Sequence, residues 1–298
     1  MTEVQQKSGS LLFIFITVLV DVMGVAIIIP VLPTLLEALT GLEVNETGLL
    51  GGLLISSFAV MQFLFAPLMG ELSDRFGRRP ILFLSLGGLG LDYIFHAYAP
   101  TLAWLFVGRM IAGVFGASHT VATAYIADIS TPENKAKNFG LIGAAFGLGF
   151  FLGPMIGGFF AKWGYQVPFL VAAGMALVNL AWGLLVLPES LPKEKRRPLD
   201  LKKAIPGVSL VHLSKYKSLG LFIIAFILVH LAGQVMPSIW SFYTIAAYGW
   251  DETLIGISLG VVGLLVGIVQ GGLIGWVVKK YGQKKVIMQG FLLWTLGM

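Results

Sequence analysis

The sequence predicts an all-α, polytopic membrane protein, on three observations: composition, the length of its apolar runs, and the lack of strand alternation within them. Of 298 residues, 57% are hydrophobic and 12% charged, about half the roughly 25% charged that a soluble domain carries to solvate its surface. Mean hydropathy is +0.87. Runs of about 20 apolar residues, the length that crosses about 30 Å of hydrocarbon as a helix, recur from end to end. They are rich in Leu and Ala and do not alternate as barrel strands do. A soluble enzyme or nucleic-acid binder is excluded. The net charge of +5 is no sign of a nucleic-acid partner, because the basic residues sit in short loops rather than on one solvated face. Without cysteine there is no disulfide, zinc-thiolate site or thiol nucleophile; no metal and no cofactor is expected.

The spans fall at 11–36, 48–70, 80–99, 101–125, 138–160, 167–187, 218–240 and 252–277, with a partial ninth from Val286 to Met298. The opening Met1 to Lys7 is not followed by a short apolar core and a cleavage site, so the first span is expected to be retained as helix one. Thr131-Pro132-Glu133 offers a cap, a first-turn proline and an acid for the start of helix five. Pro188-Glu189-Ser190 opens the single long polar stretch, 188–217. Trp240, Phe242, Tyr243 and Trp250 suit an aromatic belt at the end of helix seven, and Asp251-Glu252 suit the positive end of helix eight. The expected units are a six-helix bundle over 1–187, a cytoplasmic linker over 188–217 and a partial second bundle over 218–298.

Eighteen of the twenty Lys and Arg residues lie in loops on one side; only Lys162 lies opposite, and Arg109 is inside a span. By the positive-inside rule the amino terminus and the 188–217 loop are cytoplasmic. An internal repeat supports the two-unit division. Gly70-Glu-Leu-Ser-Asp74-Arg75-Phe76-Gly77-Arg78-Arg79-Pro80 returns 205 residues later as Gly275-Trp-Val-Val-Lys279-Lys280-Tyr281-Gly282-Gln283-Lys284-Lys285. Duplicated units about an axis along the membrane normal are how secondary transporters build a central, alternately open cavity.

Three charges fall near the bilayer midplane. At 1.5 Å per residue, Asp21 lies about 15 Å above Leu11, Asp92 about 16 Å above Ile81, and Arg109 about 12 Å below Thr101. An ionised group there costs several kcal/mol unless it is paired or faces water, which makes it a functional candidate; the alternative is a purely structural ion pair. One cation with two acids leaves one carboxylate uncompensated and able to carry a proton. Gln62, Gln234 and Gln270 interrupt apolar helices, each able to bond a neighbouring helix or a ligand. His96, His119 and His230 are able to titrate, but a lone histidine in a span is more often a satisfied packing residue. At the membrane face, Asp74 is placed to accept hydrogen bonds from the next helix start. Arg75 or Arg78 is placed to reach Asp128 as a charge-assisted latch, with Arg79 beside them; these arginines otherwise only enforce topology. Gly149, Gly153 and Gly157 in helix five, and Gly263, Gly267, Gly271 and Gly275 in helix eight, are small-residue ladders for close helix packing.

The chain resembles the major facilitator superfamily, and within it the drug/proton antiporters that include bacterial tetracycline exporters. The resemblance rests on the 70–80 loop with Gly70, Asp74, Gly77, Arg78 and Arg79, on Leu105-x-x-x-Arg109-x-x-x-Gly113, on Gly149-x-x-x-Gly153-Pro154-x-x-Gly157-Gly158, and on Pro188-Glu189-Ser190. It implies the major facilitator fold, with the first six-helix bundle and part of the second. It also implies acids in helices one and three, as in Val20-Asp21-x-x-Gly24 and Leu91-Asp92-Tyr93, and an antiporter role for the helix-five motif. Where tetracycline exporters place a histidine and an acid, Val266 precedes Gln270 and Trp294 follows Leu293. The expected function is therefore substrate/proton antiport exporting a drug-like molecule or metabolite by alternating access. The expected partners are that substrate, protons and the lipid bilayer, and the expected chain is a monomer in a bacterial inner membrane. Two alternatives stand: proton-linked uptake, and a membrane remnant without transport, which the stop at Met298 within a span motivates. No Gly-x-x-x-x-Gly-Lys-Ser/Thr loop supports an ATP-driven pump, and no nucleophile–base constellation supports an enzyme.

Overall fold

The computed structural model describes residues 3–200, 204–206, 220–269 and 273–297. Among these the chain is helical, with no strand. Counting α5 and α6 together, seven helical stretches are long and apolar enough to span a membrane, and Glu252–Ile268 is an apolar helix of 17 residues.

The first predicted span is two helices, α1 (Glu3–Ala26) and α2 (Leu32–Thr40). Pro30 has no N–H to continue the ladder and its ring would strike the carbonyl of Ala26; that carbonyl instead accepts from Ile29 N–H at 3.1 Å. A reciprocal capping box of Glu43 and Glu46 starts α3 (Val44–Phe76), which outruns the predicted 48–70 at both ends. α4 (Arg78–Ala97) follows across Gly77 alone.

Gly77 has φ 105, a backbone L side chains rarely adopt. Its N–H bonds the Ser73 carbonyl at 3.1 Å, closing α3 as α4 begins. At the repeat distance, Gly282 has φ 80 and bonds the Val278 carbonyl at 2.9 Å, joining α11 (Ile274–Tyr281) to α12 (Gln283–Gly297). The repeated motif is thus a repeated helix–glycine–helix joint.

The fourth predicted span also divides, into α5 (Leu102–Phe115) and α6 (Ser118–Ile129). At the break Thr120 N–H turns to the Ala117 carbonyl at 3.0 Å, leaving the Gly116 carbonyl outside the helical ladder. Gln62 Nε2 of α3 donates to it at 2.8 Å, so an amide that interrupts an apolar span satisfies the backbone of its neighbour. α7 (Lys135–Phe160) begins after a turn over 132–134, later than Thr131-Pro132-Glu133 suggests, because Asn134 Oδ1 takes the Thr131 N–H at 2.9 Å and closes that turn on itself. α8 (Gln166–Val186), α9 (Gly220–Tyr248) and α10 (Glu252–Ile268) complete the order.

The loops rich in Lys and Arg gather at one end of the helices; the opposite end is called the far end below. One buried cluster, including Phe13, Leu82, Leu86 and Tyr125, ties α1, α4 and α6. A second, nearer the far end, joins Ile27, Leu36, Leu54, Leu89 and Phe169 with Phe242 of α9. Phe242 is therefore no belt residue: a Cβ on Gly51 of α3 would overlap its ring. Trp240 instead donates from Nε1 to Ser258 Oγ of α10 at 2.9 Å.

α7 presents small residues to two partners. A Cβ on Gly149 would lie 2.7 Å from Val22 Cβ, one on Gly153 2.8 Å from Ala26 Cβ, and one on Gly157 against the Ile27 carbonyl, all on the side facing α1. Gly158 turns instead to α10, where a Cβ would meet the Glu252 carbonyl, and Gly256 returns the contact against the Pro154 carbonyl. In α10 the ladder in use is Gly256, Gly260 and Gly263. Gly267 has open space around it and Gly271 lies outside the described residues.

Gly157→Ala should destabilise the protein by about 1–3 kcal/mol, the usual cost of overpacking against backbone that cannot yield. Gly147→Ala, where nothing lies within 4 Å, should stay within about 0.5 kcal/mol of the parent. Thermal melting of the two purified variants in one detergent checks this, and equal melting temperatures would contradict it.

Candidate functional site: a buried charge cluster and a clamp at the basic end

The three midplane charges come from α1 (Asp21), α4 (Asp92) and α5 (Arg109), and they meet around a residue the sequence reading passed over. Tyr93 lies within the electrostatic reach of all three. Its hydroxyl sits against Gly24, where any Cβ would overlap it. The Asp21-x-x-Gly24 motif of α1 and the Asp92-Tyr93 pair of α4 are thus two halves of one contact. The signal was present: a tyrosine beside an intramembrane acid, opposite a glycine one turn from another.

Each charge has its own surroundings. Asp21 Oδ2 accepts a short hydrogen bond from Ser118 Oγ at the first residue of α6, so the break between α5 and α6 supplies a hydroxyl to the acid. Asp92 is 3% exposed and His96, one turn on, 2%. His96 Nδ1 lies 3.0 Å from Asp92 Oδ2 but directs its hydrogen bond to the Asp92 main-chain carbonyl at 2.9 Å. Neither Asp92 carboxylate oxygen has a hydrogen-bond partner among the described residues. Arg109, 8% exposed, interacts with Tyr93 and Asp92 through space. Among the described residues it makes no ion pair within 4.0 Å with either acid. The expected direct pair is replaced by a field that three helices share.

At the basic end, Arg78 rather than Arg75 is the arginine that reaches Asp128. Its guanidinium pairs with Asp74 at 2.5 Å and Asp128 of α6 at 3.0 Å, and donates to Ser73 Oγ at 2.6 Å. Arg75 is exposed and stacks its guanidinium over Phe76 at 5.2 Å. The start of α4 is capped by Glu189 rather than by Asp74, whose carboxylate is committed to Arg78 one turn away. Glu189 Oε1 accepts from Arg78 N–H at 2.9 Å and Oε2 from Arg79 N–H at 3.3 Å. An acid at a helix N-terminus satisfies orphan donors and suits the dipole. Arg79 closes the same corner by donating from Nη2 to the Leu184 carbonyl at 2.8 Å. Ser190 Oγ donates to Asp128 Oδ2 at 3.1 Å, and Tyr125 Oη to the Pro188 carbonyl at 2.9 Å. Gly77 has no room for a side chain because Glu189 and Arg196 stand over it, while Gly70, one turn before Asp74, lies in ordinary contact with Thr120. The polar stretch after α8 continues across this surface, with Arg197 N–H donating to the Asp74 main-chain carbonyl at 3.1 Å.

Other candidates lie apart. Gln234 is exposed on α9, and Gln270 is outside the described residues. Asn179 of α8, which the sequence reading missed, donates to Thr17 Oγ1 of α1 at 3.0 Å, with both side chains buried. Its signal was the same as that of the glutamines, one amide in an apolar run.

Comparison with known proteins agrees with this architecture. The family model described as Major Facilitator Superfamily matches residues 14–298. The tetracycline resistance protein, class C, of Escherichia coli is 37% identical over 292 residues, covering 98% of this chain and 73% of the relative. Multidrug resistance protein 2 of Bacillus subtilis is 27% identical over 300 residues, 96% of this chain and 70% of the relative. The crystal structure of the human organic anion transporter MFSD10 (TETRAN) superposes with a TM-score of 0.74 at 27% identity, covering 89% of this chain and 72% of that one. On the helix-five motif, the clamp at the basic end, the repeated helix–glycine–helix joint and these matches, the chain belongs to the major facilitator superfamily.

Proposed function

We propose that the protein is a proton-coupled antiporter that exports an amphipathic, drug-like molecule from the cytoplasm by alternating access. The observation that carries this reading is the buried cluster of Asp21, Asp92 and Arg109 about Tyr93. With both acids ionised and His96 neutral the cluster has one negative charge in excess, so binding one proton brings it to neutrality. Neutral burial is the cheaper state in hydrocarbon, which gives the protein a reason to bind a proton before it rearranges. The relatives named for tetracycline and multidrug resistance support a drug-like substrate. The apolar Val266 and Trp294 favour one recognised by apolar and aromatic contact over a metal chelate.

The sidedness follows from the loops: the basic end is cytoplasmic and the amino terminus lies there, and the bacterial resistance-protein relatives support a bacterial inner membrane. The described contacts between 1–187 and 218–298 lie toward the far end, through Gly51 with Phe242 and the α7–α10 glycines. This favours a cavity opening toward the cytoplasm. The clamp joins α3, α4, α6 and the end of α8, so the first bundle moves as a unit, as rigid-body alternation requires. The chain acts as a monomer embedded in lipid.

Arg78→Gln should reach the membrane at normal abundance and slow transport of ethidium, an amphipathic aromatic probe, into everted vesicles about tenfold, the loss expected when a charge-assisted contact of about 1.5–3 kcal/mol is removed. Parental rates would contradict the clamp's role. In proteoliposomes under an imposed pH gradient, Asp21→Asn and Asp92→Asn should both lose gradient-driven accumulation of ethidium. Asp92→Asn should lose the more thermal stability, approaching the roughly 3–5 kcal/mol typical of a stranded buried charge, because it leaves Arg109 without its nearer acid. Gradient-driven accumulation surviving in both would refute proton coupling at this cluster.

A further inference from the structure

His96 is read from the sequence as a packing residue, and its surroundings do not fit that reading. It is 2% exposed, and its ring stacks on Phe169 of α8 with centroids 5.6 Å apart and planes at 10°. A Cβ on Gly108 of α5 would overlap it, so a glycine there leaves the space that the imidazole fills. Yet Nε2 is buried with no hydrogen-bond partner, and so are both carboxylate oxygens of Asp92. Two buried polar atoms with no partner, His96 Nε2 and Asp92 Oδ1, and a third, Asp92 Oδ2, with only a 3.0 Å charge contact to Nδ1 are more than a packing site carries, since a buried group left unmet costs about 1–3 kcal/mol.

We propose that Asp92 and His96 form a proton-binding pair that takes up the transported proton from the far side of the membrane, a reading that rests on the proton-coupled function proposed above. The geometry decides which atoms act. Nδ1 is held between the Asp92 carboxylate at 3.0 Å and the Asp92 main-chain carbonyl at 2.9 Å, two acceptors, so it carries the hydrogen. The incoming proton therefore binds at Nε2, giving an imidazolium whose positive charge faces Asp92. Its release from Nε2 restores the neutral ring. One proton is bound and one is released, with nothing else consumed.

The surroundings contain few competing groups. α8 carries no titratable residue, α5 supplies only Arg109, and α1 supplies Asp21 at this depth. α3 is charged only near its ends, at Glu46 and at Glu71, Asp74 and Arg75, and α6 places His119, Tyr125 and Asp128 toward the basic end. Position gives the direction of travel. His96 is the second-last residue of α4 and Asp92 lies one turn deeper, so the titratable groups of α4 run inward from the far end as His96, Tyr93 and Asp92, with Arg109 and Asp21 within electrostatic reach of Tyr93.

The test uses the full-length protein with His96→Gln and, in case the amide disturbs packing, Asp92→Asn as a second variant. Two readouts are needed. One is the melting temperature of the purified protein between about pH 5 and 8, where imidazole titrates. The other is accumulation of ethidium in proteoliposomes, driven by a pH gradient or by counterflow without one. The proposal expects the parental pH response to flatten by more than half in both variants. It also expects gradient-driven accumulation to fall about tenfold or more in His96→Gln while counterflow persists, as loss of a proton-carrying group predicts. A parental pH response together with parental driven accumulation in His96→Gln would overturn it. A pH response that vanishes in both variants, in a parent that shows no gradient-driven transport, would establish the pair as a proton site and sink the proposed export reading instead.

Discussion

Hydrocarbon offers no hydrogen bonds, so every charge, helix break and open carbonyl within the membrane must be satisfied by the protein itself. This constraint organises the molecule. Where α5 gives way to α6, the freed Gly116 carbonyl is met by Gln62, and the first hydroxyl of α6 turns to Asp21. The break therefore brings a polar group to the charge cluster as it ends one helix and starts the next. The same logic buries Asn179 against Thr17 between α8 and α1.

At the basic end the constraint takes a different form, because the helix starts lie near water but are crowded by charge. Arg78 serves two acids, Asp74 and Asp128. The donors at the start of α4 therefore go to a third, Glu189, which follows the end of the neighbouring helix α8. Gly77 is required twice over, for its backbone conformation and for the absence of a side chain beneath Glu189. A sequence more than one hundred residues away thus completes the cap of α4. The joint at Gly282 repeats that backbone arrangement 205 residues later.

The helices and their order were legible in the sequence because a membrane span needs one strong signal, a long apolar run. The boundaries were less so. Pro30 inside 11–36 splits α1 from α2, and the α5–α6 break carries no proline at all, only Gly116 and a bond from another helix. The charges Asp21, Asp92 and Arg109 stood out as anomalies of composition, but their arrangement did not, since it depends on which way each helix turns about its axis. That is why Tyr93 was passed over and a direct ion pair expected where the structure has a shared field. The glycines of α7 were legible as a packing ladder. That three of them face α1 while Gly158 faces α10 is a matter of tertiary placement no spacing contains.

The central claim is that Asp92 and Arg109 stabilise one another through the shared field without touching. A double-mutant cycle tests it most directly. Melting free energies of Asp92→Asn, Arg109→Gln and the double variant should show a coupling of about 1 kcal/mol or more, with the double variant less damaged than the sum of its parts because neither charge is left alone. Additive losses, within the few tenths of a kcal/mol expected of independent sites, would contradict it.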